Sequence, residues 1–178
     1  MNDLEIVSRC KSGDVKAFEI LFEKYQTDVL YLCWNILRNR EDARDITQDT
    51  FTQVFINIKN FEFSSSLKIW IMSIAYRRCI DKLRRENVFN KYVKKIVAMK
   101  SNTNINHEDY KFIEDSESLN PVLLKMNHKE RVALSLKINL GFSAKEISQV
   151  LNCTESTIRV YLYNARNKIK KHLKKRNV

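Results

Sequence analysis

The chain has 178 residues, of which 44% are apolar, and it carries 32 Lys and Arg against 21 Asp and Glu, a net charge of +11. Two glycines and one proline are too few for a β-sandwich or barrel, which needs turn residues roughly every 8–12 positions. We therefore expect an all-α protein. Because the N-terminus is acidic and no stretch approaches about 20 apolar residues, we also expect no signal peptide, no membrane insertion and a cytoplasmic location.

The four cysteines are scattered, with no C-x-x-C pair and no Cys/His cluster at the spacing of metal ligands. This pattern favours free thiols in a reducing cytoplasm over a disulfide or a zinc site. The sequence also lacks a nucleophile–base pair and a phosphate-binding loop. It therefore predicts no enzyme activity, no catalytic residue, no metal, no cofactor and no small-molecule substrate.

The N-terminal half contains three predicted helical segments. In the first, Asp14 can cap a helix, and apolar residues recur at three- and four-residue steps from Phe18 to Leu37. This segment is one long helix, or two with a break near residues 26–28. The second runs from Arg40 to Ile58, and the third follows a candidate cap at residue 66 and runs from 67 to about 86.

Residues 88–120 have weak periodicity and balanced charge, with five basic and five acidic residues. We interpret them as a linker, mobile in part, with room for one helix that docks elsewhere. Pro121 then restarts helical structure, which we expect to end at Gly141. The sequence thus predicts two domains, 1–87 and 121–178, joined by this linker.

Positive charge is concentrated after residue 120. Residues 121–178 carry 13 Lys and Arg against 3 Asp and Glu, a net of +10. An excess confined to one part of the chain is typical of a surface that binds a polyanion.

A helix–turn–helix lies within this basic segment. Ser143 and Glu146 form a capping box that opens a short helix, a break follows at residues 152–153, and Thr154 can cap a longer helix with a polar, basic face. A short helix, a tight turn and a longer recognition helix are typical of DNA-binding proteins. A solvated basic helix, a helix on an anionic membrane and a basic RNA-binding protein are the alternatives, and the capped first helix favours DNA.

The second predicted helix has an acidic face. Asp42, Asp45 and Asp49 are spaced at i, i+3 and i+7. The face is either ordinary solvated surface or a site that docks on a basic protein surface. We favour docking, because a DNA-binding protein gains nothing by turning carboxylates toward DNA.

Residues 61–85 mix aromatic side chains with cations. Such mixtures can stack unpaired bases and follow a single-stranded backbone. Trp70 is either part of this surface or a core residue.

Several of these segments resemble one family, the bacterial sigma factors of the extracytoplasmic-function (ECF) type. Residues 42–51 resemble the family motif D-A-E-D-x-x-Q-E-T-F, and 67–85 resemble F-R-T-W-L-x-x-I-A-R-N-x-x-x-D-x-x-R-R. Residues 12–18 resemble the opening G-D-x-x-A-F, and 142–173 resemble the helix–turn–helix of region 4. The chain departs from the motifs at Arg77, where Asn is usual. It also departs in the turn before the recognition helix.

The resemblance implies an all-α protein with a region 2 bundle (1–87) and a region 4 helix–turn–helix (121–178) joined by a linker. It implies core RNA polymerase, promoter DNA and an anti-sigma factor as partners. The residues that it implies for docking on polymerase are Asp42, Asp45, Ile46, Gln48, Asp49 and Phe51. Those that it implies for binding the −10 element are Phe63, Ser64, Ser65, Lys68, Trp70, Arg77, Arg78, Lys82, Arg84 and Arg85. Those that it implies for binding the −35 element are Thr154, Glu155, Ser156, Thr157, Arg159, Val160, Tyr163, Arg166 and Lys170.

The main competing hypothesis is a stand-alone helix–turn–helix regulator with an unrelated helical sensor domain. Such a protein binds its site tightly without a partner enzyme, usually as a dimer on a palindrome. A sigma factor should bind specifically only together with polymerase.

Overall fold

The computed structural model describes residues 1–98, 122 and 126–176, which contain seven α-helices and no strand. The all-α prediction is confirmed. The helices are α1 (Asp3–Lys11), α2 (Val15–Leu37), α3 (Arg40–Asn57), α4 (Leu67–Ala98), α5 (His128–Ile138), α6 (Ala144–Leu151) and α7 (Glu155–Arg176), with a 3-10 turn at Ile58–Asn60 after α3. We call α1–α4 the N-terminal module and α5–α7 the C-terminal module. No helix in the described ranges is long and apolar enough to cross a membrane.

Helix α1 was not predicted from the sequence. The side chain of Asn2 caps it by accepting from the Glu5 amide at 2.8 Å. Asp3 ties it to α2, because its carboxylate accepts a hydrogen bond from the Tyr25 hydroxyl at 2.8 Å and pairs with Lys24 at 2.7 Å. Burial and this carboxylate raise the pKa of Tyr25.

Helix α2 is a single unbroken helix. Asp14 caps it and accepts from the amides of Lys16 and Ala17 at 2.9 and 3.2 Å. The alternative of a break near residues 26–28 is wrong, because Tyr25 and Val29 on either side are both buried on the same core face.

Helix α4 begins at Leu67, where the Ser66 hydroxyl accepts from the Ile69 amide at 3.3 Å. The predicted end near residue 86 is too early, since the helix continues to Ala98. No glycine or proline interrupts this stretch, so nothing in the local sequence ends the helix sooner. The rest of the predicted linker, residues 99–120, lies outside the described residues, and the domain boundaries stay a prediction.

Capped turns define the C-terminal module. Asn127 and Glu130 form a capping box at α5, and Ser143 and Glu146 form the predicted one at α6. Asn152 ends α6 in the left-handed region, with φ of 50°, which asparagine tolerates better than most residues. Helix α6, this short turn and the longer α7 make the predicted helix–turn–helix.

The two modules share one apolar cluster. Leu21, Leu32 and Met72 are buried in the N-terminal module, and the same cluster continues through Leu136 and Ile147 of the C-terminal module. Helix α5 packs on α2, and α6 packs on α4. The helix–turn–helix is therefore folded back on the bundle.

Candidate polymerase-docking and nucleic-acid surfaces

The acidic face of α3 is exposed at its centre. Asp45, Gln48 and Asp49 are exposed, whereas Ile46 and Phe51 are only 7% and 3% exposed and lie in the core. The buried pair fixes the rotation of the helix, so that the polar trio faces outward.

Asp42 differs from the other acidic residues on this helix. Its carboxylate lies 2.6 Å from Lys82 Nζ on α4, and both side chains are 28% exposed. The side-chain hydrogen bond to Asp42 raises the pKa of Lys82 above its ordinary value. A predicted docking residue and a predicted DNA-binding residue thus pair with each other.

A groove of about 440 Å³ runs between α2 and α3 next to the polar trio. It is lined by Phe22, Gln26, Thr27, Leu30, Arg44, Thr47 and Gln48. Aromatic pairs continue it along the same two helices, with Phe22 against Phe51 at 4.7 Å between ring centroids and Phe18 against Phe55 at 5.0 Å.

A second cavity, of about 450 Å³, opens between α3 and α4 on the other side of α3. It is lined by Gln53, Asn57, Asn60, Trp70, Ile74, Arg77, Arg78 and Asp81. Three of the predicted −10 residues therefore share one cavity. Amides, an indole face and guanidinium groups are suited to hydrogen-bonding and stacking a nucleobase.

The sequence did not predict three polar residues that α3 and its 3-10 turn contribute to this cavity, Gln53, Asn57 and Asn60. Gln53 and Asn57 are one helical turn apart, and the Asn57 amide donates to the Gln53 carbonyl at 2.8 Å. Polar spacing of this kind also occurs on ordinary solvated faces. Only the packing of α3 on α4 brings these amides opposite Trp70.

Trp70 belongs partly to the core and partly to the cavity. Its ring lies 4.8 Å from that of buried Phe61, which in turn contacts the ring of Phe63 at 4.9 Å. Phe63 is 47% exposed. The loop before α4 therefore presents one exposed ring supported by two that are buried or half-buried, with Ser64 exposed and Ser65 half-buried beside it.

The predicted −10 cations are spread along α4. Arg77, Arg84 and Arg85 are exposed, Arg78 is half-buried, and Arg84 lies 3.7 Å from Asp81. Lys68 sits at the start of the helix and pairs with Asp28 of α2 at 2.8 Å.

The outer face of α7 carries the predicted −35 residues. Ser156, Arg159, Val160, Tyr163, Arg166 and Lys170 are exposed, and Thr157 is half-buried. The Thr154 hydroxyl accepts from the Thr157 amide at 3.3 Å and so caps the helix as predicted. Arg159 Nη2 donates to Glu155 Oε1 at 2.7 Å, which holds the guanidinium near the N-terminal end of α7.

The same face of α7 borders a groove against α5 of about 600 Å³, with a largely apolar lining and a basic rim. Tyr163 and Ile138 at this groove are 65% and 66% exposed. Lys168, by contrast, points inward and binds the nearly buried carboxylate of Glu130.

The cysteines match the prediction of free thiols. Cys10, Cys33 and Cys79 are buried and Cys153 is half-buried, each without a disulfide. Contact with the Cys33 thiol and burial raise the pKa of Cys79. Among the described residues, no group of His, Cys, Asp and Glu side chains could hold a metal ion.

Comparison with known proteins identifies the two regions of the chain. Sigma-70 region 2 matches residues 21–88 and sigma-70 region 4 matches residues 117–169, together more than half of the chain. The ECF RNA polymerase sigma factor SigW of Bacillus subtilis is 25% identical, over 94% of this chain and 95% of its own length. The RNA polymerase sigma-H factor of Pseudomonas aeruginosa is 24% identical, over 96% of this chain and 93% of its own length.

A solved structure shares the fold. The sigma factor RpoE from Bartonella quintana, crystallised with the anti-sigma factor NepR, matches with a TM-score of 0.71 at 21% identity, over 89% of this chain and 98% of its own.

A helix–turn–helix carried on a helical bundle places the chain among regulatory DNA-binding proteins. The region matches are more specific, since one covers the bundle and the other the helix–turn–helix. The chain belongs to the sigma-70 family, in its ECF group, and acts as a sigma factor in transcription initiation. A regulator with an unrelated sensor domain is not favoured, because the N-terminal module itself matches region 2.

Proposed function

We propose that the exposed trio on α3, Asp45, Gln48 and Asp49, binds a basic surface of core RNA polymerase. The support is their exposure together with the burial of Ile46 and Phe51, which holds the helix rigidly on the bundle. A preorganised acidic face gains specificity and association rate from charge complementarity. Asp42, which pairs with Lys82, contributes to this face less directly.

The cavity between α3 and α4 receives a base extruded from the −10 element. Trp70 supplies a ring face, and Arg77 and Arg78 hold the adjacent backbone. Phe63, which is exposed in the loop before α4, stacks on a neighbouring base. Extrusion costs a few kcal/mol of unstacking, so easily opened sequence is favoured.

The N-terminal half of α7 reads the −35 element in the major groove. Arg159 is suited to guanine and Glu155 to cytosine, while later cations such as Lys170 hold phosphates. Because Glu155 orients Arg159 in the free protein, a guanine that captures Arg159 also releases Glu155 for a neighbouring base.

One observation carries the proposal. The acidic face and the cavity lined by Trp70 lie on two sides of the same helix, α3, so that docking on polymerase and capture of an opened strand occur on one rigid bundle. A DNA-binding protein working alone needs no such pairing of surfaces.

The protein works in the cytoplasm, has no catalytic chemistry of its own, and is held inactive by an anti-sigma factor that covers its binding surfaces. The partner of RpoE in the matched structure is an anti-sigma factor, which supports the last point.

The proposal is tested by adding the full chain to bacterial core RNA polymerase and mapping run-off transcripts on genomic fragments. We expect defined start sites that require both components. Specific, dimeric binding of the chain to a palindromic site without polymerase would contradict the proposal.

A further inference from the structure

Lys68 links the two modules. Its ammonium lies 2.8 Å from the Asp28 carboxylate on α2 and 5.5 Å from the centroid of the Phe142 ring, just before α6. Phe142 is held in the C-terminal module by the hydrogen bond from its amide to the Leu136 carbonyl, at 3.1 Å. The ring is 5% exposed, so that the lysine closes over a largely buried aromatic face.

Other contacts close the modules beside Lys68. The side-chain amide of Asn139, the residue after α5, donates to the hydroxyl of Tyr31 on α2 at 2.8 Å. Tyr76 on α4 lies near Cys153 and Tyr161 of the helix–turn–helix. Burial is the main cause that raises the pKa of Tyr76, and these two neighbours add to it. The closed arrangement thus joins α2 and α4 to residues that lie in or next to the three C-terminal helices.

This arrangement cannot span a promoter. Elements at −10 and −35 are about 25 base pairs apart, roughly 85 Å at 3.4 Å per base pair. A folded chain of this length has a radius of gyration of only about 16 Å when its parts pack together. The modules must therefore separate before both elements are bound.

We propose that single-stranded −10 DNA competes with Asp28 and Phe142 for Lys68, so that strand capture and release of the C-terminal module favour each other. The inference rests on the proposed −10 surface and on the place in it that the family resemblance gives to Lys68. A strand phosphate that binds the Lys68 ammonium draws it away from Phe142 and so removes its cation–π contact with the C-terminal module. By linkage, a module that is already released leaves Lys68 more available to the strand.

Two substitutions free Lys68 without altering it. Phe142→Leu keeps an apolar side chain but removes the ring, and Asp28→Asn removes the ion pair. Asp3→Asn is the matched control, because Asp3 also pairs with a lysine, at 2.7 Å, and has the same 31% exposure as Asp28.

Affinity of the full chain for a short fluorescein-labelled single strand of random sequence is measured by anisotropy. Small-angle X-ray scattering then reports the radius of gyration with and without the strand. We expect Phe142→Leu and Asp28→Asn each to tighten strand binding roughly two- to fivefold, the size of a partly exposed cation–π contact or ion pair. The strand should raise the radius of gyration of the unmodified chain.

Three outcomes overturn the inference. If Lys68→Gln weakens strand binding but Phe142→Leu and Asp28→Asn do not tighten it, the competition is absent while the proposed −10 role of Lys68 survives. If Lys68→Gln leaves strand binding unchanged, that role fails as well. If Asp3→Asn tightens binding as much as Asp28→Asn, the effect is general charge repulsion and not release of Lys68.

Discussion

Lys82 on α4 and Asp42 on α3 form an ion pair at 2.6 Å that ties together the two helices bearing the proposed docking and DNA-binding surfaces. A double-mutant cycle with Lys82→Met and Asp42→Asn should give a coupling of about 0.5–1 kcal/mol, because both side chains remain partly exposed. Urea unfolding measures it. A coupling indistinguishable from zero would show that the pair does not hold the helices together.

The pH dependence of this coupling has a definite sign. The pKa of Lys82 is raised by Asp42. The stability that this ion pair contributes is therefore fully present below the unfolded-state pKa of about 10.4 and is lost as the pH rises through the folded-state pKa. The coupling should therefore be the same at neutral and mildly alkaline pH. Loss of the coupling in mildly alkaline solution would contradict this assignment.

The capping box of α6 should stabilise the C-terminal module. Ser143→Ala removes the acceptor for the Glu146 amide and should cost about 1 kcal/mol of unfolding free energy. Ser148→Ala is the control, since Ser148 lies within the same helix and its hydroxyl donates to the Lys145 carbonyl without capping the N-terminus. Equal losses for the two variants, measured by urea unfolding, would argue against the cap.

Glu146 makes the stability of the C-terminal module depend on pH in the acidic range. Hydrogen bonds with Ser143 lower the pKa of Glu146, so its stabilisation is present above the unfolded-state value of about 4.3 and is lost as the pH falls through the folded-state value. The stability difference between the unmodified chain and Glu146→Gln should shrink on acidification. A difference that stays constant across this range would rule out the predicted linkage.

The two proposed DNA surfaces can be separated by a crossed pair of variants. Phe63→Ala should weaken binding of polymerase holoenzyme to a single-stranded −10 segment by about 1–3 kcal/mol, the size of one base–aromatic stack. Tyr163→Ala, which removes an exposed ring on α7, should affect only the −35 duplex. Equal effects of either variant on both DNAs would contradict the division of labour.

Arg159 and Lys170 should behave differently on α7. Arg159→Ala should cost about 1–3 kcal/mol and relax preference at one −35 position, as expected for a base contact. Lys170→Ala should weaken binding to all sequences alike and reduce the salt slope by about 1. Holoenzyme binding to a −35 library at several salt concentrations distinguishes the two. A uniform loss for Arg159→Ala would make it a phosphate contact.

Much of the fold was predictable because local signals agree with it. Ser143 and Thr154 cap the helices that they were expected to cap, and α4 begins where Ser66 predicts. Helix α1 was missed because nine residues with three buried side chains give little periodicity. The predicted end of α4 is too early because the helix continues to Ala98 after its amphipathic pattern fades.

The site was less predictable than the fold. Asn57 and Asn60 become cavity residues only through the packing of α3 on α4, and the pairing of Asp42 with Lys82 depends on the same packing. The closure of the modules over Phe142 and Tyr76 depends on contacts between residues far apart in the chain. Periodicity reports one buried face of each helix and does not say which partner covers it.

The most direct test of the account is the affinity of the full chain for core RNA polymerase after charge reversal on α3. Asp45→Lys combined with Asp49→Lys should reduce affinity at least tenfold, a loss of about 1.4 kcal/mol or more. The helical circular dichroism should remain unchanged, because both side chains are exposed. Glu5→Lys, an exposed reversal on α1, should bind like the unmodified chain. Unchanged affinity of the double variant would contradict the proposed docking face.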